Sequence, residues 1–351
     1  MNHFDVVVVG GGPGGSSSSI LCADEDLNVL LLEKGERDRH KACGGVLPAV
    51  APDTIEDILD VEIPESVMQN PTRLGLYYVP PSGRKNRAVL DGYHIHNIDR
   101  DRFDQWLQDT AKKRGVDVQY HSKLVDFEHD QQFRIQIDTP SGKQIVTSDY
   151  LIGADGARST TRQILFPEVE VPRMLVGQEE WRAGGDFGDY FYGFFRHDIS
   201  KAYAYIIPKA NRLLIGLGAV PHTEPNVNEL LSRFKQWLTE EFGFRGLELF
   251  NREVWAIPFG YFYPGVGNAL LVGDAAGLCN PLSGEGIRPA IESAEAAVFA
   301  LVTDDETSLV ERYSRNVAGL LAMIRELNEF VRGLDDDKME EFVRQEAERS
   351  L

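Results

Sequence analysis

The chain has 351 residues, 42% hydrophobic and 26% charged, enough apolar material to bury a large core and too much for a disordered chain. With 55 acidic and 36 basic side chains the net charge is −19, which argues against nucleic acid as the main partner and against electrostatic attachment to an anionic membrane. Peripheral contact through apolar groups is the only membrane association left open. The three cysteines, Cys22, Cys43 and Cys279, suggest no disulfide framework, and no Cys/His cluster has zinc-ligand spacing, so no metal site is expected. The chain runs from Met1 into an apolar strand without a signal-peptide pattern, and no apolar stretch is long enough to span a bilayer. A cytoplasmic enzyme of two interleaved subdomains plus a tail is the expectation.

Phe4 to Val9 is a continuous apolar run ending in glycines, the pattern of a buried parallel strand. A helix to about Asp26 and a second buried strand from Val29 to Leu32 complete a βαβ opening. Residues 73–98 read as short strands around a turn at Pro80-Pro81-Ser82-Gly83. Arg100 to Arg114 reads as an amphipathic helix with Phe103, Leu107 and Ala111 on one face. Residues 116–147 read as antiparallel strands with a hairpin at Thr139-Pro140-Ser141-Gly142, and residues 173–220 as three or four antiparallel strands forming a platform. A helix from about Val227 to Glu241, a buried strand from Ala269 to Val272, a helix from Gly284 to Val302 and a charged helical tail broken near Gly333 follow.

Three glycine motifs carry the chemistry, each directly after an apolar strand. In Gly10-x-Gly12-x-x-Gly15 the first glycine permits a tight turn, the second lets a pyrophosphate approach the backbone, and the third lets the helix pack against the strand. The helix start offers free N–H groups to phosphate, and Glu33 at the end of the next strand is placed to accept from a ribose diol. The second motif runs Gly153-Ala154-Asp155-Gly156-Ala157-Arg158-Ser159-x-x-Arg162. The third is Gly273-Asp274-Ala275-Ala276-Gly277, followed by Asn280-Pro281-Leu282-Ser283-Gly284-Glu285-Gly286-Ile287. Asp274 can bind a ribose or ribityl hydroxyl, and the helix start near Gly284 can face the electron-rich part of a reduced flavin.

In this order the motifs resemble the FAD-binding signature of the group containing aromatic hydroxylases, flavin-dependent halogenases and geranylgeranyl reductases. Lys41-Ala42-Cys43-Gly44-Gly45 and the Asn280–Ile287 segment resemble the geranylgeranyl reductase branch. Tyr203-x-Tyr205-x-Ile207-Pro208 sits where that branch carries Y-x-W-x-F-P, with Tyr205 and Ile207 as departures. The stretch after Ile287 is shorter than that branch's usual tail, so part of the substrate cover is expected to be absent. The resemblance implies an α/β fold, with a Rossmann-like FAD domain (1–69, 97–165 and 252–302), an antiparallel-sheet substrate domain (70–96 and 166–251) and a helical tail (303–351). It implies FAD held by Gly10, Gly12, Pro13, Gly14, Gly15, Glu33, Lys34, Cys43, Gly44, Gly45, Arg100, Val125, Asp155, Gly156, Gly273, Asp274, Gly277, Pro281, Gly284, Glu285, Gly286 and Ile287.

The activity implied is hydride transfer from reduced FAD to C=C bonds of a prenyl or similar apolar substrate, with Cys43, Tyr203 and Tyr205 at the reacting end. A transient electron donor, NAD(P)H or ferredoxin, is implied as well. A monooxygenase acting on an aromatic or polyketide-like substrate and an electron-transfer flavoprotein are the alternatives. Cys43 reads equally as a flavin-side thiol or as core filler, while Cys22 and Cys279 read as filler. His94 and His96 share one strand face and read as part of a polar surface. Alternation is expected to send one side of Tyr190–Phe195 to the pocket and the other side away from it.

Overall fold

The computed structural model describes residues 2–220, 223–224 and 226–349. The end of the 303–351 tail at residues 350–351 therefore lies outside the described residues. The chain opens with β1 (His3–Val9), α1 (Pro13–Asp24) and β2 (Val29–Leu32), followed by β3 (Val46–Leu47), α2 (Ala51–Leu59), β4 (Met68–Val79), β5 (Ala88–Ile98) and α3 (Arg100–Lys113). Next come β6 (Asp117–Gln119), β7 (Lys123–His129), β8 (Phe133–Thr139), β9 (Gly142–Gly153) and α4 (Thr160–Leu165). The central part holds β10 (Arg173–Gly184), β11 (Tyr190–Phe194), β12 (Ala204–Lys209), β13 (Arg212–Ala219), α5 (Val227–Phe242) and β14 (Arg245–Pro258). The last part holds β15 (Gly265–Val266), β16 (Ala269–Leu271), α6 (Gly273–Ala276), α7 (Ile287–Val302), α8 (Leu309–Asn316), α9 (Ala318–Arg332) and α10 (Asp336–Arg349).

These elements form the expected α/β architecture with two sheets. The first has the order β15-β16-β9-β1-β2-β6, with the β7–β8 hairpin attached to β9. Its centre is parallel: β1 pairs with β2 and β9 in the same direction. Both faces of β1 are covered, which explains the unbroken apolar run. Val6 and Val8 pack under α1, α3 and α7, while Val7 and Val9 pack under the β7–β8 side. Each such buried valine contributes about 1.5–3 kcal/mol. Ser16 to Ser19 are fully buried in α1. Their small side chains let α1 and α7 approach closely, and Ser18 and Ser19 return their hydroxyls to the Gly14 and Gly15 carbonyls.

The second sheet has the order β14-β10-β13-β12-β11-β4-β5-β3. Helix α5 covers one face, packing Leu230, Leu231, Phe234 and Leu238 onto Tyr192, Phe194, Ile206 and Ile215. The opposite face carries Tyr205, Ile207, Leu214 and Val176, with half-buried Phe191, Tyr203, Trp255 and Ile257. Alternation thus divides Tyr190–Phe195 as expected, with Phe191 on one side and Tyr192 and Phe194 on the other.

Three expectations need correction. The second sheet is not wholly antiparallel, because β11 runs parallel to β4. This follows from the connection after β10, which pairs with β13 and β14, so the chain crosses the sheet before β11 lands beside β4. Residues 73–98 form two long strands with register shifts instead of several short ones. The helix expected from Gly284 starts at Ile287, because Asn280 folds the preceding residues into a turn. Its side chain accepts from the Leu282 and Ser283 amides, its carbonyl accepts from the Gly284 amide, and Gly284 has φ 71°.

Candidate cofactor and active site

The turn after β1 needs glycine for reasons of space. Gly10 has φ 105°, and a Cβ there would lie 2.6 Å from the Ala154 carbonyl oxygen. A Cβ on Gly15 would lie 1.8 Å from the Gly10 carbonyl oxygen, so α1 meets β1 only through glycine. A Cβ on Gly12 would have only the Arg39 guanidinium within 4 Å, at 3.9 Å. Open space therefore lies above the backbone where α1 begins, with Pro13 opening the helix and its first N–H groups free. Gly14 packs against Val272, just before the third motif, and Ala290 of α7.

Glu33 is 4% exposed at the end of β2. Its carboxylate accepts from the Gly11 amide at 3.1 Å, the Gly35 amide at 2.8 Å and Arg39 Nε at 2.9 Å. Arg39 continues to Asp104 at 3.0 Å, and Asp104 binds Arg100 at 2.9 Å. Gln108 donates to the Gly11 carbonyl at 2.6 Å. The expected pair Glu33 and Arg100 is thus brought to one crevice, joined by Arg39, Asp104 and Gln108, which sequence reading missed. Only the Arg100–Asp104 spacing of one helical turn was a signal for them. Lys34 is exposed and Val125 is half-buried on β7, and neither joins this network.

At the other end, Gly273 has φ 54° and lifts Asp274 into a cleft facing α7. A Cβ on Gly286 would sit 3.1 Å from Asp274 Oδ1. Among the described residues no donor hydrogen-bonds the Asp274 carboxylate; burial raises its pKa, partly countered by Lys41, Arg100 and Arg162. Gly277 closes α6 with φ 93°, where any side chain would strike Tyr261. Pro281 lies in the Asn280 turn, and Glu285 is tied to Arg288 at 2.9 Å. In the second motif, Asp155 spends its carboxylate on its own turn, accepting from Ser159 Oγ and the Thr161 amide. Gly156 has φ 82°, and Arg162 bridges the Ala157 and Ala275 carbonyls, which fastens this turn to α6.

The Cys43 loop lies between the sheets. Cys43 is half-buried, its sulfur accepting from the Gly45 amide at 3.4 Å and lying within hydrogen-bonding reach of Arg100. Gly44 lies under Ile207, 2.8 Å from where its Cβ would be, and Gly45 has φ 62°. Tyr203 donates to the Ser283 carbonyl at 2.7 Å, and Tyr205 donates to Gln178 at 3.0 Å. The two rings stand 6.0 Å apart. Cys43, Tyr203, Tyr205 and the Asn280–Gly286 turn therefore lie close together. Cys22 and Cys279 are buried, and burial pushes both thiols up, Cys22 to about 12. His94 is exposed and His96 half-buried.

Lys209 was not anticipated. Its ammonium is buried and donates to the Gly45 carbonyl at 2.9 Å, the Ile98 carbonyl at 3.0 Å and Asn97 Oδ1 at 2.5 Å. It pins the Cys43 loop to the second sheet. Burial lowers its pKa to about 8. A group with a depressed lysine pKa folds at a cost while charged, so wild-type stability gains from this group as pH rises from about 8 toward 10. Lys209→Met removes a charged donor from the Gly45 and Ile98 carbonyls and from Asn97 Oδ1 and should cost about 2 kcal/mol at neutral pH. Urea unfolding across this pH range should show the gap between wild type and variant widening with pH.

The fold and site define a two-sheet protein with an FAD-binding domain. The sequence model of the FAD binding domain family matches residues 3–179, half of the chain, and the chain belongs to that family. Protein CbrA of Escherichia coli O9:H4 (strain HS) is 29% identical over 320 residues, spanning 88% of this chain and 84% of that protein. A geranylgeranyl bacteriochlorophyll reductase-like protein from Thermoplasma acidophilum superposes with a TM-score of 0.84 at 22% identity, covering 99% of this chain and 92% of that one. The p-nitrophenol 4-monooxygenase PnpA from Pseudomonas putida DLL-E4 superposes at 0.72 with 16% identity, covering 100% and 95%. Both likenesses are of fold. The residues present fit FAD: the half-buried Asp274 carboxylate has no donor among the described residues and could accept from a hydroxyl, and the open backbone at Gly12 lies at the start of α1. Among the described residues no helix is long and apolar enough to cross a membrane.

Proposed function

We propose that the protein reduces C=C bonds of a prenyl chain or a similar apolar substrate. The observation that carries this reading is the buried apolar face of the second sheet on the side opposite α5. There Tyr205, Ile207, Leu214 and Val176 form an apolar roof beside the Cys43–Gly45 loop and the Asn280–Gly286 turn. FAD, when bound and reduced, supplies the hydride. The protein's own residues bind and orient. Glu33, Arg39 and Arg100 fix the ADP side, Asp274 takes a hydroxyl on the flavin side, and Tyr203 ties the roof to the Asn280–Gly286 turn. The apolar roof excludes water and holds a flexible chain by contact area. The donor of electrons is a transient partner, NAD(P)H or ferredoxin, and the setting is the cytoplasm.

A second reading, hydroxylation of an aromatic substrate, draws on Gln178 and the Tyr205 hydroxyl, which give the roof a polar end able to bind a phenol. An anaerobic experiment separates the two. Reduced protein mixed with geranylgeranyl diphosphate should reoxidise its flavin without oxygen. Reoxidation only after oxygen is admitted would favour hydroxylation.

A further inference from the structure

Reduction of an alkene requires a proton as well as a hydride, and the polar end of the roof shows where one can enter. Along β14, Glu253 shares a face with Trp255 and Ile257, which pack with Tyr205 and Ile207 on the roof. Glu253 therefore stands on the substrate side. Its side chain is 15% exposed, whereas that of His40 is 58% exposed. One Glu253 oxygen is hydrogen-bonded to His40 Nε2, and the other accepts from Gln178 at 3.4 Å. His40 Nδ1 meets Asp101 at 2.9 Å. With a carboxylate on each nitrogen, both ring nitrogens donate and the ring is an imidazolium. Burial opposes that charge, but Asp101 and Glu253 outweigh it and raise the His40 pKa. The charged and titratable groups facing the pair are Asp101 on α3, which also accepts from the Lys41 backbone amide, and Tyr205 on β12.

We infer that Glu253 relays a proton from His40 into the site and that His40 is recharged from solvent. The inference rests on the reductase reading. The hydride supplied by the reduced cofactor forms one C–H bond as the π bond breaks. The proton on His40 Nε2 crosses to Glu253 and from there forms the second C–H bond, leaving the Glu253 carboxylate and a neutral imidazole. His40 then takes a proton from solvent through its exposed ring, so charge and electrons balance. His40 lies three positions before Cys43, so one loop carries both the reloading group and the thiol beside the site.

The test uses the full FAD-loaded chain, reduced anaerobically, with geranylgeranyl diphosphate as the probe. Glu253→Gln should slow single-turnover flavin reoxidation about 100-fold while FAD content and probe binding stay at wild-type values. The wild-type rate should fall as pH rises through the His40 pKa, and His40→Gln should flatten that profile. Independently of turnover, NMR titration of the resting enzyme should show the His40 pKa falling toward the ordinary value in Glu253→Gln. If Glu253→Gln loses FAD, the His40→Gln profile and the wild-type His40 titration decide. A Glu253→Gln rate within about twofold of an active wild type would overturn the inference. A pH profile unchanged by His40→Gln would do the same. A wild type that leaves the alkene untouched would instead overturn the reductase reading beneath it.

Discussion

Gly15→Ala should abolish FAD binding and cost at least about 3 kcal/mol of stability. The added Cβ would sit 1.8 Å from the Gly10 carbonyl oxygen, with Ala154 Cβ at 3.2 Å on its other side. Neither neighbour can yield cheaply, because the Gly10 amide is bonded to the Leu32 carbonyl and the Ala154 amide to the Val9 carbonyl, and overpacking of a rigid site costs roughly 1–3 kcal/mol or more. Relief requires α1 to lift away from β1, which misplaces the N–H groups that face the pyrophosphate. Flavin absorbance of the purified variant and its urea midpoint report the two effects. Gly12→Ala is the control: its Cβ has room in the protein alone, so the apo fold should hold while FAD affinity falls. Equal apo destabilisation by the two substitutions would contradict this assignment of roles.

Asp274→Ala should separate cofactor binding from stability with opposite signs. The carboxylate has no hydrogen-bond donor among the described residues, and burial raises its pKa. In the apoprotein, folding therefore favours the protonated acid. That stabilisation is present at low pH and is lost as pH rises through the ordinary carboxylate range toward the raised folded value. Removing the side chain should leave apo stability unchanged or higher at neutral pH and erase this pH dependence. FAD affinity should drop about 10- to 100-fold, the worth of a hydrogen bond to a charged acceptor. Isothermal titration with FAD and urea unfolding of the apoprotein at several pH values check both halves. Loss of apo stability together with loss of affinity would assign Asp274 to the fold instead of the cofactor.

The parts of the site legible in the sequence are those written locally. Gly10, Gly15 and Gly273 mark turns that a side chain forbids, and Glu33 follows at a fixed distance along one βαβ unit. Asp274 lies inside its own short motif. The parts that were not legible are assembled from distant segments. Lys209 reaches the Cys43 loop from β12, and His40 meets Glu253 across 213 positions. No periodicity announces such pairs, since each member looks like an ordinary exposed charge in its own strand or loop. The parallel β11–β4 pairing was hidden for the same reason, because strand direction follows from a sheet crossing and not from the residues of either strand. The helix start at Ile287 shows the reverse case: Gly284 was read as a helix opening, but the Asn280 side chain holds that segment as a turn. The tail, expected to leave the substrate side partly uncovered, places Phe342 of α10 against Tyr78 and Phe195 at the edge of the roof.

The fate of the substrate's double bonds distinguishes a reductase from an oxygenase. The measurement that tests this most directly is mass spectrometry of geranylgeranyl diphosphate after turnover under heavy-isotope oxygen. Alkene reduction predicts a gain of two hydrogens per reduced double bond and no isotopic oxygen in the product. A product carrying one heavy oxygen atom, with its double bonds intact, would contradict it and make the protein a monooxygenase.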